Sequence, residues 1–300
     1  MTRRQRIEDL STFALPGQPT LSPDGTEVVY VLTTVDAAAD KNVRSLWRAT
    51  AAGPSGENGA RAGSGPRQLT RGKADVAPAW SPDGTKIAFL RADAAAAQVW
   101  LLPADGGEPE QVTTLPLGAG APVWSPDGAK IAFAAPVDLR AVPGEDGAAR
   151  DGRTSAPVVT TRLDYKADGS GLLAAIRAHL HVLDTASGTV RQVTEGDWHA
   201  GDPVWSPDST RLAFGAATAP DADLTPRVPL YTVDVSGGFA KPELVALADG
   251  IGAPTAWTPD GAALIVVGTR ASRSGTCGCC ASRSTPPESS PTSPGPWIET

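Results

Sequence analysis

The chain is poor in the side chains that most often do chemistry. Its three cysteines all lie in Cys277-Gly278-Cys279-Cys280, and its only histidines are His179, His181 and His199. With no cysteine elsewhere, a disulfide framework is excluded upstream, which suits a reducing compartment. A closed zinc site on Cys277, Cys279 and Cys280 would need a fourth ligand, and the histidines are far away in sequence. No run approaches the roughly 18 apolar residues of a spanning helix. Arg3-Arg4 is followed by Arg6, Glu8 and Asp9, where an export signal needs apolar residues. A cytoplasmic protein with no membrane partner is therefore expected. The net charge is −7 and no basic stripe occurs, which speaks against a nucleic-acid partner. No G-x-S-x-G elbow is found, and no helix–strand alternation suggests an α/β domain.

What the chain has is a repeat. Pro78-Ala79-Trp80-Ser81-Pro82-Asp83-Gly84-Thr85-Lys86-Ile87-Ala88-Phe89 returns at Pro122 to Phe133, Pro203 to Phe214 and Pro254 to Val266, and more weakly at Pro19 to Tyr30. In Ser-Pro-Asp-Gly, proline presets φ, aspartate bonds its own backbone and glycine takes the positive-φ position, which makes a tight turn. The Ile-Ala-Phe run that follows reads as a buried strand. Trp80, Trp124, Trp205 and Trp257 recur in phase and are expected to pack between adjacent sheets. Ser209 replaces glycine in one copy of the motif, at an expected cost of up to about 1 kcal/mol. A closing phrase, Arg67-Gln68-Leu69-Thr70, Glu110-Gln111-Val112-Thr113 and Arg191-Gln192-Val193-Thr194, ends a four-stranded meander. Ser81 and Ser125 lie 44 residues apart, within the roughly 40–50 of a propeller blade.

The fold expected is all-β: a β-propeller of four-stranded antiparallel blades, five to six recognisable in an incomplete ring, after a short N-terminal helix. Residues 1–18 form the N-terminal segment, where Ile7, Leu10 and Phe13 make an apolar stripe expected to dock on the first blade. Residues 19–270 form the propeller, with blades at about 19–70, 78–113, 122–163, 164–194, 203–247 and, in part, 254–270. Residues 271–300 change abruptly to a Ser/Arg/Cys/Pro bias. They are expected to be a disordered tail unable to complete a blade, and a change of reading frame in a GC-rich gene is one origin of such a shift. The stretches Ala51 to Pro66 and Ala141 to Ala156 are surface loops rich in small and polar residues. The first lacks the strand, helix and lysine of a phosphate-binding loop.

Candidate chemistry yields no assignment. His179 and His181 share one face of a predicted strand but have no carboxylate cluster to match, so packing or solvent exposure accounts for them. The repeated aspartates Asp24, Asp83, Asp127, Asp208 and Asp260 are accounted for by their turns. No catalytic, cofactor-binding or metal-binding residue is assigned, and no cofactor is expected.

The repeated Trp-Ser-Pro-Asp-Gly motif with its closing Gln-Leu-Thr or Gln-Val-Thr resembles the propeller of the prolyl oligopeptidase family, particularly its acylaminoacyl-peptidase branch, and also the TolB propeller. Ile7-Glu8-Asp9-Leu10, Ser45-Leu46-Trp47, and Arg162-Leu163-Asp164-Tyr165-Lys166-Ala167-Asp168-Gly169 leading into His179-Leu180-His181-Val182 favour the peptidases. The resemblance covers Ile7 to Arg270. It implies a propeller that caps an α/β-hydrolase domain with a Ser-Asp-His triad and admits short or N-terminally blocked peptides. That domain is expected to be missing here, so the chain reads as the substrate-gating part of a serine peptidase, truncated before its catalytic residues. Peptides are the implied partners if a hydrolase domain is joined to it. The alternatives are a stand-alone TolB-like propeller that binds a protein or ligand, and a non-functional fragment.

Overall fold

The computed structural model describes residues 6–51, 65–92, 96–141, 159–160, 162–168, 171–173, 175–237, 239–269, 278–283 and 298–299. The glycine-rich loop at 52–64, most of the excursion at 142–158 and Cys277 lie outside them. Regular structure among the described residues is nearly all strand, with one short 3-10 helix. It divides into two compact units, Met1–Phe133 with Leu183–Val190, and Ala134–Val182 with Arg191–Thr300.

In the first unit, β1 (Leu15–Leu21), β2 (Glu27–Asp36), β3 (Lys41–Thr50) and β4 (Arg67–Gln68) form one antiparallel meander. A second comprises β5 (Asp75–Trp80), β6 (Lys86–Arg91), β7 (Gln98–Pro103) and β8 (Glu110–Gln111). Each copy of the motif supplies the first hairpin of its blade: Trp80 ends β5, the Ser-Pro-Asp-Gly turn follows, and Ile87, Ala88 and Phe89 lie in β6, fully buried. Val29, Val31 and Leu46 of the first blade pack with Ile87, Phe89 and Leu102 of the second.

A third sheet has the order β14-β13-β10-β9, from β9 (Val123–Trp124), β10 (Lys130–Asp138), β13 (Ile176–Asp184) and β14 (Val190–Gln192), and its residues fall in both units. This corrects the expected division into blades at 122–163 and 164–194. Among the described residues between the two middle strands there is one small hairpin, β11 (Lys166–Ala167) with β12 (Gly171–Leu172). The alternating apolar residues of this stretch have no core to face, since Leu163, Tyr165 and Leu172 are exposed.

The second unit continues with β15 (Val204–Trp205), β16 (Arg211–Gly215), β17 (Leu230–Asp234) and β18 (Glu243–Ala246), then β19 (Ile251–Trp257) and β20 (Ala263–Thr269). Leu230 and Ala246 share a core with Trp257, Leu264 and Val266. The last sheet is completed by β21 (Gly278–Arg283) and β22 (Ile298–Glu299). The tail expected to be strandless therefore contributes two strands. Pairing uses backbone N–H and C=O groups that every non-proline residue carries, so the edge of β20 accepts a segment with no apolar pattern.

Residues Ile7–Thr12 form a single 3-10 helix, held by the Arg6 N–H on the Asp9 carboxylate (2.8 Å), that lies beside β2 of the first blade, while Leu10 and Phe13 of its apolar stripe remain 63% and 46% exposed. The first blade starts at Leu15, inside the expected N-terminal segment.

The closing phrase has a role that its spelling did not reveal. Buried Thr70, Thr113 and Thr194 accept, at Oγ1, the backbone N–H of Leu46, Val99 and Leu180 on the third strand of each blade, at 2.8–2.9 Å. Gln68, Gln111 and Gln192 donate from Nε2 to the carbonyl of the same threonine, at 2.7–2.8 Å. Replacing Thr113 by valine keeps the shape but orphans the Val99 N–H and is expected to cost about 1–3 kcal/mol. The urea midpoint of the variant measures this, and Thr113→Ser should retain most of the stability.

Candidate functional site

The repeated aspartates are turn-makers. In each copy of the motif the Ser or Thr hydroxyl donates to the aspartate (Ser81 to Asp83, 2.6 Å) and accepts a backbone N–H from the next strand (Lys86, 2.9 Å). The same pattern joins Ser22 to Asp24, Ser125 to Asp127, Ser206 to Asp208 and Thr258 to Asp260. These bonds favour the ionised form, and Asp208 is lowered to about 2, first by Ser206 and then by Thr210. Ser209 sits at φ 59°, beside 69–72° for the glycines of the other four turns, so serine holds the left-handed position.

The phased tryptophans form part of a ladder between blades. Trp124 Nε1 donates to Ala79 O (3.1 Å) and Trp257 Nε1 to Val204 O (3.3 Å), in each case the carbonyl just before the tryptophan of the preceding copy. Trp80 follows a copy with Leu21 in the tryptophan position, and its indole N–H is buried without a partner among the described residues.

Chemistry-bearing side chains gather at one place, on the connections of the second unit. β13 begins Ile176-Arg177-Ala178-His179-Leu180-His181, and the period of two puts Arg177, His179 and His181 on one face. Arg177 Nε donates to Asp197 Oδ1 (2.7 Å) in the connection between β14 and β15. Arg162 forms a fork on Asp164 (2.7 and 2.8 Å), and Leu163 N–H reaches Asp223 Oδ2 (2.9 Å) between β16 and β17. Asp164 is held below the usual carboxylate range, chiefly by Arg162, and Arg162 is raised by Asp164 with Asp197 and Asp223 nearby. Three connections thus meet as a mixed-charge surface, the kind of loop cluster that carries function on a rigid scaffold.

His179 and His199 adjoin this cluster, and His181 lies next to His179. His179 is sealed: Nε2 donates to Gly196 O (3.0 Å), which leaves Nδ1 to accept from the Thr194 hydroxyl (3.3 Å). That is a hydroxyl–imidazole pair, but both residues are buried and Thr194 Oγ1 already serves Leu180, so it packs rather than reacts. His181 Nδ1 bonds His179 O (3.0 Å), and half-buried His199 accepts Ala178 N–H at Nδ1 (3.1 Å). Sequence reasoning paired His179 with His181, named His199 without a role, quoted Arg162 and Asp164 only for the family resemblance, and missed Arg177, Asp197 and Asp223. The one available signal was Arg177 in phase with the two histidines. Cys279 and Cys280 pair through their backbones with Val267 and Val266.

Burial pushes all three histidines below their ordinary value. Above about pH 6.5 folded and unfolded chains are both neutral there and no linkage arises. Below it the unfolded chain takes protons that the folded chain refuses, so stability falls as pH drops. The turn carboxylates, lowered in the fold, add a separate loss only below about pH 4. Urea midpoints at pH 7.5, 6 and 5 should therefore fall step by step, before the carboxylates titrate.

The comparisons with known proteins agree with this fold. No family model matches the chain. It is 30% identical over 218 residues to the uncharacterized peptidase YuxL of Bacillus subtilis, an alignment covering 70% of this chain and 30% of that protein. Among solved structures, acylaminoacyl peptidase of Pyrococcus horikoshii superposes with a TM-score of 0.66 at 15% identity, over 91% of this chain and 38% of the enzyme. The β-propeller domain of the Trilobed protease of Pyrococcus furiosus gives 0.55 at 15% identity, over 92% of this chain and 70% of that domain. A putative TolB of Agrobacterium tumefaciens gives 0.55 at 19% identity, over 89% and 76%. The described chain is thus a β-propeller of the kind shared by acylaminoacyl peptidase, the Trilobed protease and TolB. In sequence it is similar to part of a peptidase, and it spans about a third of the length of YuxL and of the acylaminoacyl peptidase.

Proposed function

We propose that this chain acts as the substrate-admitting propeller of a serine peptidase resembling acylaminoacyl peptidase, with hydrolysis carried out by an α/β-hydrolase domain. The observation that carries this reading is the 30% identity to YuxL over 218 residues. The mixed-charge connections of the second unit bring Arg162, Asp164 and Asp197 to the surface, groups of both signs able to meet the two ends of a short peptide.

The test grafts these 300 residues in place of the aligned part of the B. subtilis peptidase. The graft should cleave a short N-acetylated aminoacyl p-nitroanilide and refuse a long unfolded polypeptide. Equal cleavage of both would overturn the reading. A second reading, a stand-alone binding propeller similar to TolB, is favoured by the 76% of the TolB chain that the superposition covers. It predicts that the chain captures one stable protein partner while the graft leaves substrate choice unchanged.

A further inference from the structure

We propose that His199 is a pH-operated latch: its neutral ring holds the connection from Glu195 to Gly201 against the start of β13, and protonation releases that connection. The ring accepts the Ala178 N–H at Nδ1 (3.1 Å), so the proton of the neutral form lies on Nε2. A second proton can be added only at Nδ1, where it would point at the Ala178 N–H, donor against donor. No rotation of a backbone amide relieves that conflict. His179 cannot play this part, because it is fully buried between Thr194 and Gly196 and its partner is a hydroxyl that can turn.

The latch holds a defined set of contacts. Ala200 N–H donates to Ala178 O (2.8 Å) directly beside it, and Gly201 N–H donates to Gly215 O (2.8 Å). Trp198, carried by the same connection, stacks on Phe214 at 6.0 Å and meets His179 edge-on at 5.1 Å. Release would uncover buried aromatic rings and change the loop cluster to which Asp197 belongs.

The charged groups facing His199 come from every neighbouring element. Arg177 on β13 and Arg162 on the excursion oppose a second positive charge, whereas Asp164 on the excursion and Asp197 on the connection favour it. Burial and Arg177 prevail, so the ring stays neutral at pH 7 and titrates below the ordinary histidine value. The device therefore opens on acidification and recloses on neutralisation.

Amide hydrogen exchange of the full chain tests this, with rates corrected for intrinsic chemistry. Between pH 7.5 and 5.5 the protection of Ala178 and Ala200 should fall by about tenfold or more, while Leu212 to Phe214 on β16 stay protected. His199→Asn keeps an acceptor near the Nδ1 position without a titrating proton, so its protection should not change with pH. His199→Ala should be unprotected at both values. Equal wild-type protection at the two pH values, or an asparagine variant that loses protection as the wild type does, would overturn the proposal. Nitrogen-15 shifts of the wild-type His199 ring give a readout that no variant's folding can obscure. They should show Nε2 protonation at pH 7.5 and a transition coincident with the loss of protection. Nδ1 protonation at pH 7.5 would sink the idea.

Discussion

Replacing Asp75 by alanine should destabilise the first unit by about 3–5 kcal/mol. The carboxylate at the start of β5 is fully buried and receives both arms of Arg91, Nε at 2.7 Å and Nη2 at 2.9 Å, from the residue directly opposite on β6. The arginine side chain is only 12% exposed, and its guanidinium lies 5.2 Å from the Phe89 ring centroid and 4.8 Å from that of Trp100. Removing the carboxylate would leave this cation desolvated between aromatic faces. Removing both charges is a different matter, since a packed apolar pair avoids the desolvation cost altogether. Asp75→Val with Arg91→Met should therefore recover most of the loss. The same site explains Gly72, where an added Cβ would fall on the Asp75 carboxylate. Urea denaturation of the single and double variants gives the comparison, and a single-variant loss below about 1 kcal/mol would show that the pair is not buried as described.

Truncating Phe89 to alanine should cost a similar amount, about 3–5 kcal/mol, for an apolar reason. The ring is fully buried among Val29, Val31, Leu46 and Leu102, so its removal opens a cavity between two sheets that are each held by their own hydrogen bonds. Phe89→Leu fills most of that space and should cost less than about 1.5 kcal/mol. Because Arg91 lies over the ring, losses at Phe89 and Asp75 should not add, and a double-mutant cycle should show coupling of about 0.5 kcal/mol or more. Purely additive losses would mean that the ring and the ion pair act separately.

The repeated turn was legible because each of its constraints is local. A positive-φ position, an aspartate two residues after a hydroxyl, and a buried strand beginning two residues after glycine are all written within a dozen positions, and the structure repeats them five times. The tryptophan phase was equally visible, though only coordinates show which carbonyl Trp124 and Trp257 reach. The closing phrase was recognisable as punctuation, but its purpose depends on a third strand 14 to 24 residues earlier in the chain. Of the loop cluster only Arg177, in phase with His179 and His181, was legible. Arg162, Arg177 and Asp197 stand on segments with no shared period, and only folding brings them together.

By itself, then, the sequence determined the repeating unit: a turn, a buried strand, and indole rings in phase to pack sheet on sheet. Tertiary structure alone decided which strands share a sheet. It joined β10 to β13 across the excursion and added β21 to β20. The physical reason is that side-chain alternation names the face a strand buries but not its neighbour along the hydrogen-bonding direction. That choice is made by backbone groups common to every residue, satisfied only once the rest of the chain is in place.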